Sequence, residues 1–277
     1  MLVTLRDGLR LRVREAGVGD PLLLLHGFTG SSESWGEPLV AGLAERSRVL
    51  AVDLPGHGAS DAPVDPGRYA LEAVVADLCD LLDATGTGSA TWVGYSMGGR
   101  IALGAAVLAP GRVRRLVLES ASPGLSTEEE RSARRFADAA LARRIRAEGI
   151  AWFVDKWERL PPFATQARLP AGVLAAQRER RLANDPAALA ACLGGLGTGS
   201  QPSFWEDLAG VRAPTLLLAG AEDLKFREIG RRMADGLPAA RLEVAAGAGH
   251  AVHLEAPAAW LAAVRGFLAE TGGEAES

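Results

Sequence analysis

Ser96 stands at the centre of GYSMG, residues 94–98, a G-x-S-x-G pattern lying between a β-rich run and a helical run. In that context a sharp strand-to-helix turn can hold a serine hydroxyl clear of the backbone, the two glycines allowing close approach of neighbouring chain. A serine hydroxyl moves protons or attacks carbon poorly by itself. It needs an imidazole within hydrogen-bond reach and a carboxylate to orient that imidazole. Asp223 in GAEDLKF and His250 in GAGH follow the last two β-rich runs, giving the chain order serine, acid, histidine. Each has rivals nearby. Glu119 ends the run after the serine helix, Glu222 adjoins Asp223, and His253 follows His250, where it is expected to be a satisfied supporting histidine. His26, His57 and Asp53 fall in turns, where hydrogen bonding within the loops is the expected role. Charge developing on a reacting oxygen needs amide donors: Met97 supplies the one after the serine and Phe28, in HGF, is expected to supply the second.

Arg100 lies four residues beyond Ser96, on the same helical face one turn further along. A guanidinium placed there has to be answered by an anion or by water. Between residues 126 and 199 two more arginines sit against apolar stripes. Arg134 falls at the edge of the face bearing Ala133, Ala137 and Leu141, and Arg178 shares a stripe with Leu174 and Leu182. Three guanidiniums converging over one serine would suit a small polycarboxylate, each carboxylate taking paired hydrogen bonds.

These residues require a scaffold, and the pattern supplies one. From Arg10 to about Ala121, short β-rich runs (LLLL, RVLAVDL, ATWVGYS, RRLVLES) alternate with helical runs such as LEAVVADLCDLLDATG and MGGRIALGAAVLAP. That grammar predicts a mostly parallel sheet with helices on both faces, the α/β-hydrolase form of the α/β class given the serine, acid, histidine order; RLRVREAG alternates as an antiparallel strand should. From Ser126 to Gly199 only helices are expected, the first opened by a capping box of Ser126 with Glu129. Strand character then returns in APTLLLAGAED and ARLEVAAGAGH. The expected organisation is a core of residues 1–122 and 203–270, a helical cap insertion at 123–202, and a disordered tail at 271–277.

Composition narrows the function. With 48% hydrophobic and 23% charged residues and a net charge of -4, the chain has no basic field for nucleic acid or an anionic membrane. Cys79 and Cys192 sit within apolar helical patterns and read as reduced core residues, and no leader or spanning segment is evident, so a cytoplasmic location is expected. No metal-ligand spacing, Walker motif or dinucleotide fingerprint is present, and no cofactor is expected.

The runs LLLLHGFTGSSESW, VLAVDLPGHGASDAP, VGYSMGGRIAL, LVLESASPGL, FVDKWERLPPF, GTGSQPSFW, AEDLKF and AGHAVHLEAP span nearly the whole chain. Together they resemble the 2-succinyl-6-hydroxy-2,4-cyclohexadiene-1-carboxylate synthases of menaquinone biosynthesis. DLPGHG and GAGH are widespread in α/β-hydrolases, whereas HGFTGSSESW, GYSMGGR, SASPGL and FVDKWERLPPF are far more specific. The resemblance implies a lyase on a hydrolase scaffold, releasing pyruvate from an enolpyruvyl cyclohexene polycarboxylate. It implies Ser96, Asp223 and His250 as the triad. It places Tyr95 and Arg100 beside the serine, brings Arg134, Trp157 and Arg178 from the insertion, and turns Lys225 toward the site. The implied mechanism takes a proton from the ring carbon next to a carboxylate, with the serine relaying it and no acyl-enzyme formed. An ordinary hydrolase of anionic esters or carbon-carbon bonds is the competing expectation.

Overall fold

The computed structural model describes residues 1–272. β1 (Leu2–Thr4) and β2 (Arg10–Ala16) are followed by β3 (Asp20–Leu25), α1 (Gly36–Ala44), β4 (Ser47–Val52), α2 (Leu71–Ala84), β5 (Ala90–Tyr95), α3 (Met97–Leu108) and β6 (Val113–Glu119). Three helices come next with no strand between them: α4 (Glu128–Trp157), α5 (Ala171–Leu182) and α6 (Pro186–Leu196). β7 (Thr215–Gly220), α7 (Leu224–Gly236), β8 (Ala240–Ala245), the short α8 (Val252–Glu255) and α9 (Pro257–Gly272) complete the order.

Among the described residues, all eight strands join one sheet in the order β1-β2-β4-β3-β5-β6-β7-β8. β2 runs antiparallel to β1 and β4, and every other neighbour is parallel. The apolar runs explain this arrangement. A strand covered on both faces needs both alternating sets of side chains apolar. In β3, Leu23 and Leu25 pack with Trp92, Leu116 and the α2–α3 layer, whereas Leu22 and Leu24 pack with Val93, Val117 and Trp260 on the opposite face. Because β4 adds to one side of β3 and β5 to the other, the strand order reverses there. The loops after β3 and β5, at the carboxyl ends of the strands, flank a switch point where such sheets form ligand crevices.

Three details differ from the sequence expectations. The capping box that opens α4 is Thr127 with Glu130, not Ser126 with Glu129: the Thr127 hydroxyl accepts from Glu130 N at 3.1 Å and the Glu130 carboxylate accepts from Thr127 N at 3.0 Å. Both spacings satisfy the motif, and the extended backbone of Thr127 decides between them. Residues 271 and 272 end α9 instead of beginning a tail, and the Thr271 hydroxyl donates to Phe267 O at 2.7 Å; positions 273–277 lie outside the described residues. β1 was not foreseen, three residues being too few to show a period.

α4 is broken at Gly149, whose φ of 81° and ψ of 179° leave the helical region. Its second half thereby turns to pack Phe153 and Val154 with Ala142, Ile145, Leu189 and Leu193, a cluster that Phe28 and Trp157 border. The α4–α6 segment thus has an apolar core of its own, seated against the loop after β3. No helix among the described residues is long and apolar enough to cross a membrane.

Candidate active site

Ser96 lies between β5 and α3 with φ 51° and ψ -107°, a conformation costly for a residue with a side chain. Two contacts enforce it. A Cβ on Gly94 would lie 2.3 Å from Gly98 O, and one on Gly98 would lie 2.1 Å from Leu25 O, so both glycines of the motif are required by backbone approach. Ser96 N donates to Glu119 O at 2.8 Å, tying the turn to the neighbouring strand.

His250 follows β8 and Asp223 follows β7. The His250 Nδ1–H donates to Asp223 Oδ2 at 2.6 Å, leaving Nε2 to face Ser96 Oγ at 3.3 Å. Asp223 is itself fixed, because its other oxygen accepts from Phe226 N at 3.2 Å at the start of α7. Glu255 holds the histidine loop by accepting from Gly249 N at 2.8 Å and Ala251 N at 3.1 Å. Phe226 and Phe163 flank the imidazole, with ring centroids 4.7 and 6.1 Å away. This geometry can pass a proton between a serine oxygen and an imidazole held in one tautomer.

The rival residues serve elsewhere. Glu119 is 1% exposed and holds three donors: His253 N at 3.1 Å, the His253 ring at 2.9 Å and Trp260 Nε1 at 2.9 Å. Asp53 accepts from Ser32 N and Ala59 N, Glu222 pairs with Arg168 at the surface, and the rings of His26 and His57 bond to loop backbone. Burial drives the His57 pKa down to about 3, so this ring is neutral at any working pH. Removing Glu119 would strand all three donors in the interior. Glu119→Ala is therefore expected to cost about 3 kcal/mol or more of unfolding free energy. A urea midpoint unchanged from the parent protein would contradict that reading.

A cavity of about 300 Å³ opens above Ser96 and His250. Phe28 and Met97 line it, and among the described residues neither amide donates to another protein group, leaving both free for an oxyanion. Arg100, Arg134 and Lys225 line it as well, together with Trp157 and the thiol-bearing Cys192. No described carboxylate lines this cavity. Beyond Phe28, Trp157 and Phe163, which border both spaces, a smaller recess of about 50 Å³ is lined by Tyr95, His253, Arg180 and Arg181. It too has no acidic wall. Burial lowers the Arg100 pKa to about 10, which leaves the guanidinium charged at neutral pH; burial also lowers Arg181. Burial and the nearby Glu119 carboxylate raise the Tyr95 phenol well above its ordinary value, so it remains a neutral donor.

Arg178 is the exception among the expected residues: it is not brought to the serine. It points to the end of α4, where Asp155 accepts at 2.5 Å and Glu158 at 2.7 Å. The anion that an arginine in an apolar stripe requires is supplied by the protein. Arg181, one turn later, is 6% exposed, donates to the other Glu158 oxygen at 3.2 Å, lies over the Phe163 ring at 5.3 Å and faces the recess. Helical spacing could not separate the two arginines. Leu174 is followed at helical intervals by either Arg178 or by Gln177 and Arg181; Glu158 pairs with both arginines, and Asp155, which pairs with Arg178 alone, marks the one that turns outward. Arg180 and Arg181 are thus the site-lining residues that the sequence reading missed. Among the described residues no three His, Cys, Asp or Glu side chains are grouped to hold a metal ion.

A strained serine after β5, an acid after β7 and a histidine after β8, hydrogen-bonded in series on a mostly parallel sheet, fit the α/β-hydrolase fold, and residues 20–257 match the family model of that description. Comparison with known proteins is narrower. The chain is 33% identical over 267 residues to the 2-succinyl-6-hydroxy-2,4-cyclohexadiene-1-carboxylate synthase of Serratia proteamaculans, covering 95% of this chain and 100% of that one. A Bacillus subtilis relative, whose name gives the same synthase activity provisionally, is 40% identical over 96% of this chain and 97% of its own. The solved structure of MenH from S. aureus superposes with a TM-score of 0.90 at 34% identity, over 95% of this chain and 98% of that one. The chain belongs to this synthase family within the α/β-hydrolases.

Proposed function

We propose that the protein is a carbon-oxygen lyase that converts 2-succinyl-5-enolpyruvyl-6-hydroxy-3-cyclohexene-1-carboxylate to 2-succinyl-6-hydroxy-2,4-cyclohexadiene-1-carboxylate and pyruvate. The observation that carries this reading is the charge of the site. Five cationic side chains (Arg100, Arg134, Lys225, Arg180 and Arg181) line two spaces without an acidic wall, in a chain whose net charge is -4; Arg134 and Arg181 are each paired with one protein carboxylate, Asp138 and Glu158, whereas among the described residues Arg100, Lys225 and Arg180 have none within ion-pair distance. A substrate with three carboxylates answers that charge, whereas a neutral ester does not.

The chemistry follows from the substrate. The proton on ring carbon 2 is acidic because it is alpha to the succinyl ketone. His250, oriented by Asp223, withdraws it through Ser96. The negative charge passes to the ketone oxygen, which the Phe28 and Met97 amides receive. As the ketone reforms, double bonds form at ring carbons 2 and 4, and the bond from carbon 5 to the enolpyruvyl oxygen breaks. Enolpyruvate departs with that electron pair and takes up a proton on its methylene carbon to become pyruvate. The proton balance closes, and no bond between Ser96 and substrate is needed. Residues 123–202 act as a cap over the core of residues 1–122 and 203–270, contributing Arg134, Trp157, Arg180 and Arg181, with the enzyme working in the cytoplasm.

The experiment is a steady-state assay of the enolpyruvyl substrate, reading pyruvate through a coupled reductase while the conjugated diene is followed by its absorbance. The two should rise one for one. Absence of pyruvate above the spontaneous rate, with simple esters hydrolysed, would instead make the protein a hydrolase, a reaction its triad geometry could also serve. The two arginines of α5 give a finer check. Arg178→Gln removes a half-exposed ion pair and is expected to leave KM within about threefold, whereas Arg181→Gln should raise it roughly tenfold or more. Equal effects would show that Arg178 reaches the substrate after all.

A further inference from the structure

Arg100 is half-buried, yet among the described residues no carboxylate lies within ion-pair distance of it. Its two terminal nitrogens are held instead by neutral acceptors: Nη1 donates to Gln201 Oε1 at 2.6 Å and Nη2 to Leu196 O at 2.7 Å. The neighbouring carboxylate, Asp138, is taken by Arg134, whose Nε donates to its Oδ1 at 2.8 Å. Gln201 is 1% exposed and does not line the cavity. It sits where the helical segment rejoins the core. Gln201 N donates to Gly197 O at 3.1 Å, and three residues on Phe204 N donates to Pro123 O at 2.7 Å, so the backbone around it is pinned to both sides.

We infer that Gln201 is a specificity-determining residue that fixes the Arg100 guanidinium without neutralising it, reserving that charge for a substrate carboxylate. The inference rests on the reading of Arg100 as a carboxylate acceptor. Its physical basis is the difference between an amide and a carboxylate at one atom. A protein carboxylate in this place would bind the guanidinium more strongly than an amide, with a full opposite charge. It would then compete with substrate and repel it. The carboxamide instead supplies the geometry of such a partner with none of its charge. A protein needing only a folded, satisfied arginine would be served at least as well by the acid, as Arg178 is by Asp155 and Glu158.

Three variants separate the tether from the charge. Gln201→Glu is nearly isosteric and preserves the acceptor, so a purely structural role predicts no loss. The charge role predicts a KM for the enolpyruvyl substrate raised roughly 10- to 100-fold, with kcat within about threefold, since the substrate carboxylate is charged throughout the reaction. Gln201→Met loses the tether and keeps the charge free, and its KM should rise only about threefold. Arg100→Met is the reference for complete loss, and thermal unfolding of each variant checks the fold. A Gln201→Glu KM near that of the parent, beside a large rise in Arg100→Met, overturns the role of Gln201 and leaves the proposed function standing. No rise in Arg100→Met removes the reading of Arg100 on which both depend. Should Gln201→Glu not fold, Gln201→Met decides: a rise equal to that of Arg100→Met makes the tether the whole effect and overturns the inference.

Discussion

Ser96→Ala is expected to lower kcat for pyruvate release about a thousandfold while leaving KM within a few-fold of the parent value. The serine oxygen stands 3.3 Å from His250 Nε2 and, in the proposed mechanism, carries the proton between substrate and imidazole, so its removal should strike the proton transfer. The cations proposed to bind substrate are untouched. Residual turnover should exceed the spontaneous reaction, because the Phe28 and Met97 amides and the arginines remain in place. Steady-state kinetics on purified parent and variant read both constants. A variant retaining a tenth or more of the parent kcat would mean that His250 reaches the substrate directly and that Ser96 is dispensable.

Arg100→Met should act in the opposite constant. Losing a half-buried, charge-assisted contact to a carboxylate is expected to raise KM roughly 30- to 100-fold and to lower kcat much less. Methionine retains the bulk and the apolar stem of arginine, so the cavity wall is kept. What disappears is the charge and its hydrogen bonds, and Gln201 Oε1 and Leu196 O lose their donor at the same time. Thermal unfolding monitored beside the kinetics separates that structural loss from the binding loss. A KM within threefold of the parent would place the substrate carboxylates elsewhere, in the recess of Arg180 and Arg181.

Much of the site was legible because its parts are local. The G-x-S-x-G turn is dictated by backbone contacts at Gly94 and Gly98, which any chain of this fold must meet, and the positions of Asp223 and His250 follow from strand ends that apolar runs reveal. His253 could be ranked as a supporting residue, whereas Glu119 stood open as an alternative acid, and the two could not be joined, since their pairing brings together β6 and α8, 134 residues later in the chain. Arg178 shows the limit most clearly. Its apolar neighbours mark an arginine that needs an anion, and they are silent on whether that anion is substrate or protein. The answer came from Asp155 on α4, which pairs with Arg178 alone, and from Glu158 just beyond it, which Arg178 shares with Arg181. The break at Gly149 was likewise unseen, because a glycine within a helical pattern carries no sign of the backbone angle it will take.

The central claim, that Ser96 serves an elimination and not an acyl transfer, is tested most directly by a single turnover. Enzyme in excess is mixed with the enolpyruvyl substrate, quenched through the course of the reaction, and assayed for pyruvate while the intact mass of the protein is recorded. The account predicts one pyruvate per substrate with the protein mass unchanged at every time. An adduct of succinyl or pyruvyl mass on Ser96 that forms and decays with the reaction, or a reaction that yields no pyruvate, would contradict it.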